Sequence, residues 1–586
     1  MTAPVPARPA GHLLVEALIL QGIDTAFGVP GESFLAVLDG FYEHRERIRF
    51  IACRQEGGAA FMAEAQGKLS GRPGVCFVTR GPGASNAAIG LHTAFQDSTP
   101  MILFIGQVAS EQRDREAFQE IDYRQMFGPG TLGMAKWVGE VHSADRLPEY
   151  VARAFHVALQ GRPGPVVRVL PEAMLTALTS EPVLPRVEPA HAWPAPGALR
   201  ELRTMLLAAE RPFVIVGGSG WDAAACDAMQ RFAENWQLPV GCAFRFQDLF
   251  DNRHANYAGD VGIGINPRLA QRIAEADLIL AVGPRLGEMT TGGYTLIEAP
   301  RPRQKLIHMH AGPEELGRVY AADLLVQASM ACAAKALDTL SPPAELRWGG
   351  WATAAHADYE ANHEPVAVAP LDMAEVVKTI GRLAPTSSVL TNGAGNFSGW
   401  LHRYHRYPGM QHAGRTQLAP TSGAMGYGVP AAIAASLLYP ERTVVNIAGD
   451  GDFSMTGQEL ATATGYRAGT GHGKLVVIVV DNGTYGTIRM HQERAYPGRV
   501  SGSDLYNPDF AALARAHGWR AAFVDATAQF EPAFAAALEA DGPTLIHVKL
   551  DAEISTSRAT LTAIRTTAFA KRDVPRPPPP DRKNTA

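Results

Sequence analysis

A chain of 586 residues, 46% of them apolar, with a net charge of −5 has enough length for three or four compact units and lacks the basic excess of a nucleic-acid binder. No stretch reaches the roughly eighteen unbroken apolar residues of a membrane span, and residues 1–10 carry prolines and no apolar core flanked by positive charge, so they do not read as a secretory signal. The five cysteines, Cys53, Cys76, Cys226, Cys242 and Cys332, are widely spaced in apolar stretches without a C-x-x-C pair, which reads as buried free thiols in a reducing compartment and a cytoplasmic protein.

The chain order gives an α/β protein of three doubly wound parallel-sheet domains. Residues 10–180 alternate short apolar runs with amphipathic stretches, as in 75–79, 84–97 and 101–106, the rhythm of parallel strands joined by crossover helices. Proline-rich residues 181–196 form a linker. A second unit, 197–340, carries strand candidates at 213–216, 278–282 and 306–310, and 341–350 breaks the pattern again. The third unit, 365–560, repeats the rhythm of the first, with strands 443–448 and 474–480 flanking a helix near 456–468. Residues 571–586, charged and proline-rich, read as a disordered tail.

Chemistry concentrates at three places. Gly449-Asp450-Gly451 ends one strand, and Asp481-Asn482-Gly483-Thr484 ends the next. Consecutive parallel strands thus deliver a carboxylate and an amide oxygen to one sheet edge, where glycines let backbone N–H groups approach an anion. A hard cation such as Mg²⁺ takes such oxygens, completing its shell with phosphate and water. A tight turn with Asp450 capping a helix is the bland alternative. Glu56, in Arg54-Gln55-Glu56-Gly57-Gly58-Ala59-Ala60, stands between a strand end and a helix start beside Phe61 and Met62. Burial there would raise its pKa and suit it to proton transfer; a helix N-terminal acid held by the macrodipole is the alternative. Ser422 to Pro430 is glycine-rich around Met425 and precedes an apolar run, which alone would read as a turn before a buried helix.

Together these segments resemble the thiamine diphosphate (ThDP) dependent enzymes of the acetolactate synthase and pyruvate decarboxylase superfamily, over nearly the whole chain. The resemblance implies a pyrimidine-binding first domain, a central domain and a diphosphate-binding third domain. It implies Mg²⁺ held by Asp450, Asn482 and the Thr484 carbonyl, with cofactor contacts from Asn396, Gly449, Gly451, Asp452, Phe453 and Tyr485. Met425 would fill the bend of the cofactor, the Gly423 carbonyl would accept from its 4′-amino group, and Glu56 would bond N1′. Two departures stand out: Asp481 replaces the first asparagine of a pair, and the loop at 469–473 is a few residues long.

Within the superfamily, residues 81–86 and 117–120 are similar to acetolactate synthase and make Phe118 and Gln119 pocket candidates, Gln119 also a catalytic one. Lys136 falls where that family has a lysine, with a solvated surface lysine the simpler account. Met289 takes the place of an arginine that grips an acceptor carboxylate, and His491 that of a tryptophan favouring larger 2-oxo acids. Glu32 matches the N-terminal acid of pyruvate decarboxylases, whose paired histidines are absent and whose later glutamate is matched by Ile488, a pocket candidate with His491. Residues 484–486 look more like benzoylformate decarboxylase. The expected activity is a carboligase that decarboxylates a 2-oxo acid and transfers the acyl carbanion to a carbonyl acceptor. Simple 2-oxo acid decarboxylation and C–C cleavage of a diketone are the alternatives. FAD in the central domain stays open, because Gly218 and Arg285 are kept while Gly259-Asp260-Val261-Gly262 lacks a histidine. An NAD-site reading of Gly218-Ser219-Gly220 lacks the acid expected about twenty positions on. The resemblance also implies a homo-oligomer, dimer or tetramer, with the site between subunits, so that Glu56 and Asp450 would come from different chains.

Overall fold

The computed structural model describes residues 6–128, 133–364 and 370–572. Three six-stranded sheets follow one another along the chain, and every strand pairing within them is parallel. The first has the spatial order Arg49–Ala52, Thr25–Gly28, Gly74–Val78, Met101–Gln107, Pro165–Pro171, Trp137–Glu140, and the third repeats it with Gln417–Leu418, Val389–Asn392, Val444–Gly449, Leu475–Asp481, Thr544–Lys549, Arg520–Val524. The central sheet differs, running Tyr257–Val261, Val240–Ala243, Pro212–Val216, Leu278–Val282, Lys305–His310, Leu324–Gln327. The strands expected from the sequence at 75–79, 213–216, 278–282, 443–448 and 474–480 all form, within one residue at each end.

In a parallel sheet wound both ways, a crevice opens where the strand order reverses, at the carboxyl ends of the strands. In the third sheet that point lies between Val389–Asn392 and Val444–Gly449, so the loop 393–396 and Asp450 flank it. In the central sheet it lies between Pro212–Val216 and Leu278–Val282, flanked by Gly217–Gly220 and Gly283–Arg285. The first sheet, with the strand order of the third, has its own reversal between Thr25–Gly28 and Gly74–Val78, so topology alone marks one place for a ligand in each sheet.

The first and third sheets share one core through a pair of helices. Gly428–Leu438 is buried from Gly428 through Leu437, which fits its apolar, small-residue sequence. It packs on Glu56–Ser70, buried from Gly57 through Gly67. Small residues permit the close approach around it: a Cβ on Gly90 would come within 2.4 Å of the Ala60 Cβ. Between these helices Tyr427 Oη donates to Glu64 Oε2 at 2.5 Å, and Lys68 pairs with Glu64 (3.2 Å) and Asp97. Their side chains are nearly fully buried, so this network is held together only while all members are present.

The sequence reading needs one correction here. Residues 571 and 572 still belong to the helix Leu561–Arg572, because its apolar face packs on Gly486–Ala495; the remainder of the expected disordered tail lies outside the described residues. The five cysteines are free and buried, as expected.

Candidate active site

A cavity of about 240 Å³ opens at the crevice of the third sheet. Gly449, Asp450, Gly451, Asp452, Asn482, Thr484, Tyr485, Asn396, Met425, Gly423 and Ile488 all line it, so residues spread over nearly a hundred positions of sequence converge as expected. Phe453 does not line it. Its ring turns into the core against Phe510, with centroids 5.3 Å apart, so only its backbone is available to a ligand.

Asp450 starts the four-residue helix Asp450–Phe453 directly after the strand. Its Oδ1 accepts from the Gly451 N–H (2.9 Å), and its Oδ2 from the Gly483 N–H (2.8 Å) and from Asn507 Nδ2 (2.7 Å). Asn507 also donates to Asp481 Oδ1 at 2.8 Å and so clamps the two carboxylates together. Burial, and the Asp481 charge beside it, push the Asp450 carboxyl up, while the bonds from Asn507, Gly451 and Gly483 hold it back. Asp481 goes the other way: burial raises it, but hydrogen bonds from His547 (3.0 Å), Lys549 (2.9 Å) and Asn507 more than offset that and hold it below the usual carboxylate range. The replacement of asparagine by aspartate at 481 is therefore matched by a histidine and a lysine from the neighbouring strand Thr544–Lys549. These partners were not read from the sequence, because they stand more than 60 residues away.

Asn482 Oδ1 accepts from the Thr484 N–H at 3.2 Å, and the buried Thr484 is fixed by its hydroxyl on the Ser503 carbonyl (2.7 Å). The donor set is one carboxylate, one amide oxygen and one carbonyl, all hard oxygens, with a cation's remaining positions left for phosphate and water. The adjoining glycines form a cradle, since a Cβ on Gly449 would lie 2.8 Å from the Phe397 ring and one on Gly451 2.5 Å from that of Tyr485.

Asp452 is buried and works on the protein. Its Oδ1 accepts the N–H groups of Gly426 (2.7 Å) and Ala394 (3.2 Å), which ties the Met425 segment to the loop after Val389–Asn392; burial pushes its carboxyl up to about 7. The glycines around Met425 have φ of 69° at Gly423 and 83° at Gly426, a left-handed geometry in which a side chain would be strained.

The residues expected from the first domain stand elsewhere. Glu56 begins its helix as foreseen, behind Gln55, whose side chain accepts from the N–H groups of Gly57 and Gly58. The expectation of a desolvated carboxylate is not met on this chain. Glu56 is half-buried and accepts from Asn86 Nδ2 at 2.9 Å, because the apolar neighbours Phe61 and Met62 point into the core. It lines neither cavity described here. Nor do Phe118, which is 73% exposed, and Gln119, at φ 64° on a loop where Asp114 and Glu116 also have positive φ. Glu32 is held by Arg80 (2.8 Å), away from both cavities. Lys136 is not a solvated lysine. Its Nζ donates to the carbonyls of Gln160 and Arg162, each at 2.7 Å, and burial lowers its pKa to about 8.

A second, wider cavity of about 960 Å³ adjoins the first, with Ala394, Gly395, Asn396, Gly423 and Thr487 lining both. It reaches the central crevice at Gly218 and Arg285 and also takes in Met289 and His491. Asp260, which the structure places in the strand Tyr257–Val261 where the sequence suggested a loop, lines it with Oδ1 unpartnered among the described residues, and burial pushes its carboxyl up to about 8, with Arg245 pulling it back.

A parallel-sheet crevice with an oxygen donor set, next to a domain of the same topology, has the form of a cofactor-binding pair of domains. Three family descriptions match the chain in order: "Thiamine pyrophosphate enzyme, N-terminal TPP binding domain" over residues 8–126, "Thiamine pyrophosphate enzyme, central domain" over 199–339, and "Thiamine pyrophosphate enzyme, C-terminal TPP binding domain" over 393–548. The chain belongs to the thiamine pyrophosphate enzymes. Within them it is similar to the acetolactate synthase isozyme 2 large subunit of Escherichia coli (strain K12), at 31% identity over 92% of this chain and 95% of the relative. It is similar as well to the acetolactate synthase large subunit of Parasynechococcus marenigrum (strain WH8102), at 32% identity over 91% and 86%. The mitochondrial acetolactate synthase catalytic subunit of Saccharomyces cerevisiae matches at 28% over 93% and 81%.

Proposed function

We propose that the protein is a ThDP- and Mg²⁺-dependent carboligase that decarboxylates a 2-oxo acid and transfers the acyl carbanion to a carbonyl acceptor. The observation that carries this reading is the convergence of Asp450, Asn482, Thr484, Gly423 and Met425 on one cavity in a chain similar to acetolactate synthase large subunits. Bound there, ThDP supplies the carbanion-stabilising chemistry that side chains lack. The Asp450 carboxylate, the Asn482 amide oxygen and the Thr484 carbonyl would hold Mg²⁺, and the backbone at Gly449 and Gly451 would receive the diphosphate. Met425 would sit in the bend of the cofactor, the Gly423 carbonyl would orient its amino group, and Asp452 fixes that segment from behind. Ile488, on the wall next to Tyr485, would shape the pocket for the acyl group, with His491 further along the same helix.

Glu56 would hold and release the proton at N1′ from a second copy of the chain, which also brings Phe118 and Gln119 over the opening. The absence of these three from both cavities of their own chain supports that arrangement. The domain limits are those of the sequence reading, 10–180, 197–340 and 365–560. The free cysteines fit a cytoplasmic setting, and no described helix is long and apolar enough to cross a membrane. The central-domain end of the wide cavity, at Gly218 and Arg285, is our choice for FAD. The decarboxylase alternative relies on Glu32, whose engagement by Arg80 weighs against it.

Purified protein supplied with ThDP and Mg²⁺ should convert pyruvate and other 2-oxo acids to carbon dioxide and a 2-hydroxy ketone, followed together by gas release and product analysis. Carbon dioxide with free aldehyde only would overturn ligation. For the shared site, coexpressed Glu56→Ala and Asp450→Ala chains should regain activity that neither has alone, since mixed dimers contain one intact site; no recovery in verified mixed dimers would sink the arrangement.

A further inference from the structure

We propose that Arg403, Arg494 and Arg558 form an anion-binding end wall of the wide cavity, so that the substrate, donor or acceptor, is a 2-oxo acid carrying a second negative group. This rests on the carboligase reading above and names the substrate class for it. The three arginines come from separate elements: Arg403 from the last turn of the helix Ser398–Tyr404, Arg494 from that of Gly486–Ala495, and Arg558 from the segment before Leu561–Arg572. All three line the wide cavity.

Among the described residues none of them has a carboxylate partner. Arg403 donates to the carbonyls of Asn362 (2.8 Å) and Ser557 (2.7 Å). Arg558 donates to the Gly264 carbonyl at 3.1 Å and approaches Asn362 Oδ1 at 3.5 Å. Arg494 reaches, among the described residues, the Met490 sulfur at 3.6 Å. Carbonyls orient a guanidinium but leave its charge standing, and burial together with Arg403 pushes the Arg558 pKa down, the direction expected when like charges share a site without a counterion. Neighbouring arginines are treated differently: Arg489 pairs with Asp504, Arg565 with Glu493 and Arg406 with Glu360. The carboxylates that do line the cavity are Asp97, paired with Lys68, Asp260, which faces Arg245, and Glu288, on the loop with Met289.

The end wall is reached from the cofactor cavity along one helix. Ile488 faces the smaller cavity, and His491 and Arg494 the wider one; six residues of helix cover about 9 Å. A substrate whose carbonyl lies near Ile488 can therefore present a distal carboxylate, sulfonate or phosphate to the arginines, with Arg the residue suited to gripping such groups. This grip would stand in for the acceptor arginine whose place is taken by Met289.

Matched pairs test it: 2-oxopentanoate against 2-oxoglutarate, and 2-oxohexanoate against 2-oxoadipate, each alone as donor and each as acceptor with pyruvate. The dianion should be favoured at least tenfold in kcat/KM in one of these roles, which also tells donor from acceptor. That ratio should fall at least tenfold in Arg494→Gln, whose side chain holds no backbone, and in Arg558→Gln. Equal rates for the paired acids, or a ratio that both variants leave alone, would overturn the proposal, as would variants that lose bound flavin in place of dianion selectivity. Binding separates this failure from failure of the reaction: in the ThDP- and Mg²⁺-loaded enzyme glutarate should raise the melting temperature more than pentanoate does, and Arg494→Gln should abolish the difference, whether or not any 2-oxo acid is turned over. No difference in the unsubstituted enzyme would refute the anion site by itself.

Discussion

Asp97, at the end of a first-domain helix, accepts hydrogen bonds from both the backbone N–H (2.7 Å) and the hydroxyl of Thr421, at the head of the segment that carries Gly423 and Met425. One carboxylate thus joins the first domain to the cofactor cavity of the same chain, while its other oxygen pairs with the buried Lys68. Asp97→Ala would leave that lysine with Glu64 as its one carboxylate, beside the Ala419 carbonyl at 3.1 Å, and would free Thr421. Breaking a buried ion pair from one side costs roughly 3–5 kcal/mol, so the variant should melt at lower temperature and need more ThDP for half-maximal activity. Unchanged ThDP dependence in a folded variant would mean that the remaining bonds of the 421–426 segment, to Thr93, Asp452 and Thr456, suffice to hold it.

Metal affinity should depend on Asn507 as well as on the proposed ligands. Its amide clamps Asp450 to Asp481, and loss of such a supporting partner lowers metal affinity roughly 10–100-fold. Asn507→Ala should therefore regain activity at raised Mg²⁺, whereas Asp450→Ala should fail to bind ThDP at any Mg²⁺ concentration, as read by quenching of tryptophan fluorescence. A chelator should inactivate the unsubstituted enzyme reversibly.

Glu56→Gln keeps the helix start and the side-chain volume but removes the acid. Positioned acid–base groups contribute roughly 10²–10⁴-fold, so exchange of the thiazolium C2 proton, measured by quenched-flow NMR, should slow by that order while ThDP stays bound. Normal exchange would end the assignment of Glu56.

The fold was legible because apolar runs and glycine-marked strand ends recur at the spacing of parallel strands, and the meeting of Asp450 and Asn482 at one cavity because each follows such a run directly. What surrounds them was not. Asp481 depends on His547 and Lys549, which face it only because Leu475–Asp481 and Thr544–Lys549 are sheet neighbours. Asp452 lines the cavity as its position suggested, but the two backbone N–H groups that it also holds, of Gly426 and Ala394, are joined to it by the fold and by no local pattern. On its own chain Glu56 is half-buried because Phe61 and Met62, which follow it, face the core, and what a second copy would add around it no local pattern shows. The arginine wall joins three elements separated by up to 155 positions, beyond the reach of any motif.

Glu493, buried in the helix Gly486–Ala495, accepts two bonds from Arg565, at 2.9 and 2.6 Å, and so fastens the helix Leu561–Arg572 over the residues that carry Ile488 and His491. Glu493→Ala should expose the last helix to limited proteolysis several-fold faster, and activity should fall in parallel. Faster cleavage with full activity would make that helix a cover without effect on the pocket.

Stability should also report on Asp260. Its ordinary pKa is about 4, and burial pushes it up to about 8 in the fold, with Arg245 offsetting part of this. Between those values the folded chain holds a proton that the unfolded chain has released. The group's contribution to stability is therefore fully present below about pH 4, declines as pH rises and is lost by about pH 8. Asp260→Asn keeps a neutral polar side chain throughout and removes that slope. In the cofactor-free enzyme, the melting temperature of the variant relative to the unsubstituted protein should shift in the variant's favour between pH 5 and pH 9. A difference that stays constant across that range would show that Asp260 is already ionised in the fold, its charge balanced by Arg245 on the same wall of the wide cavity.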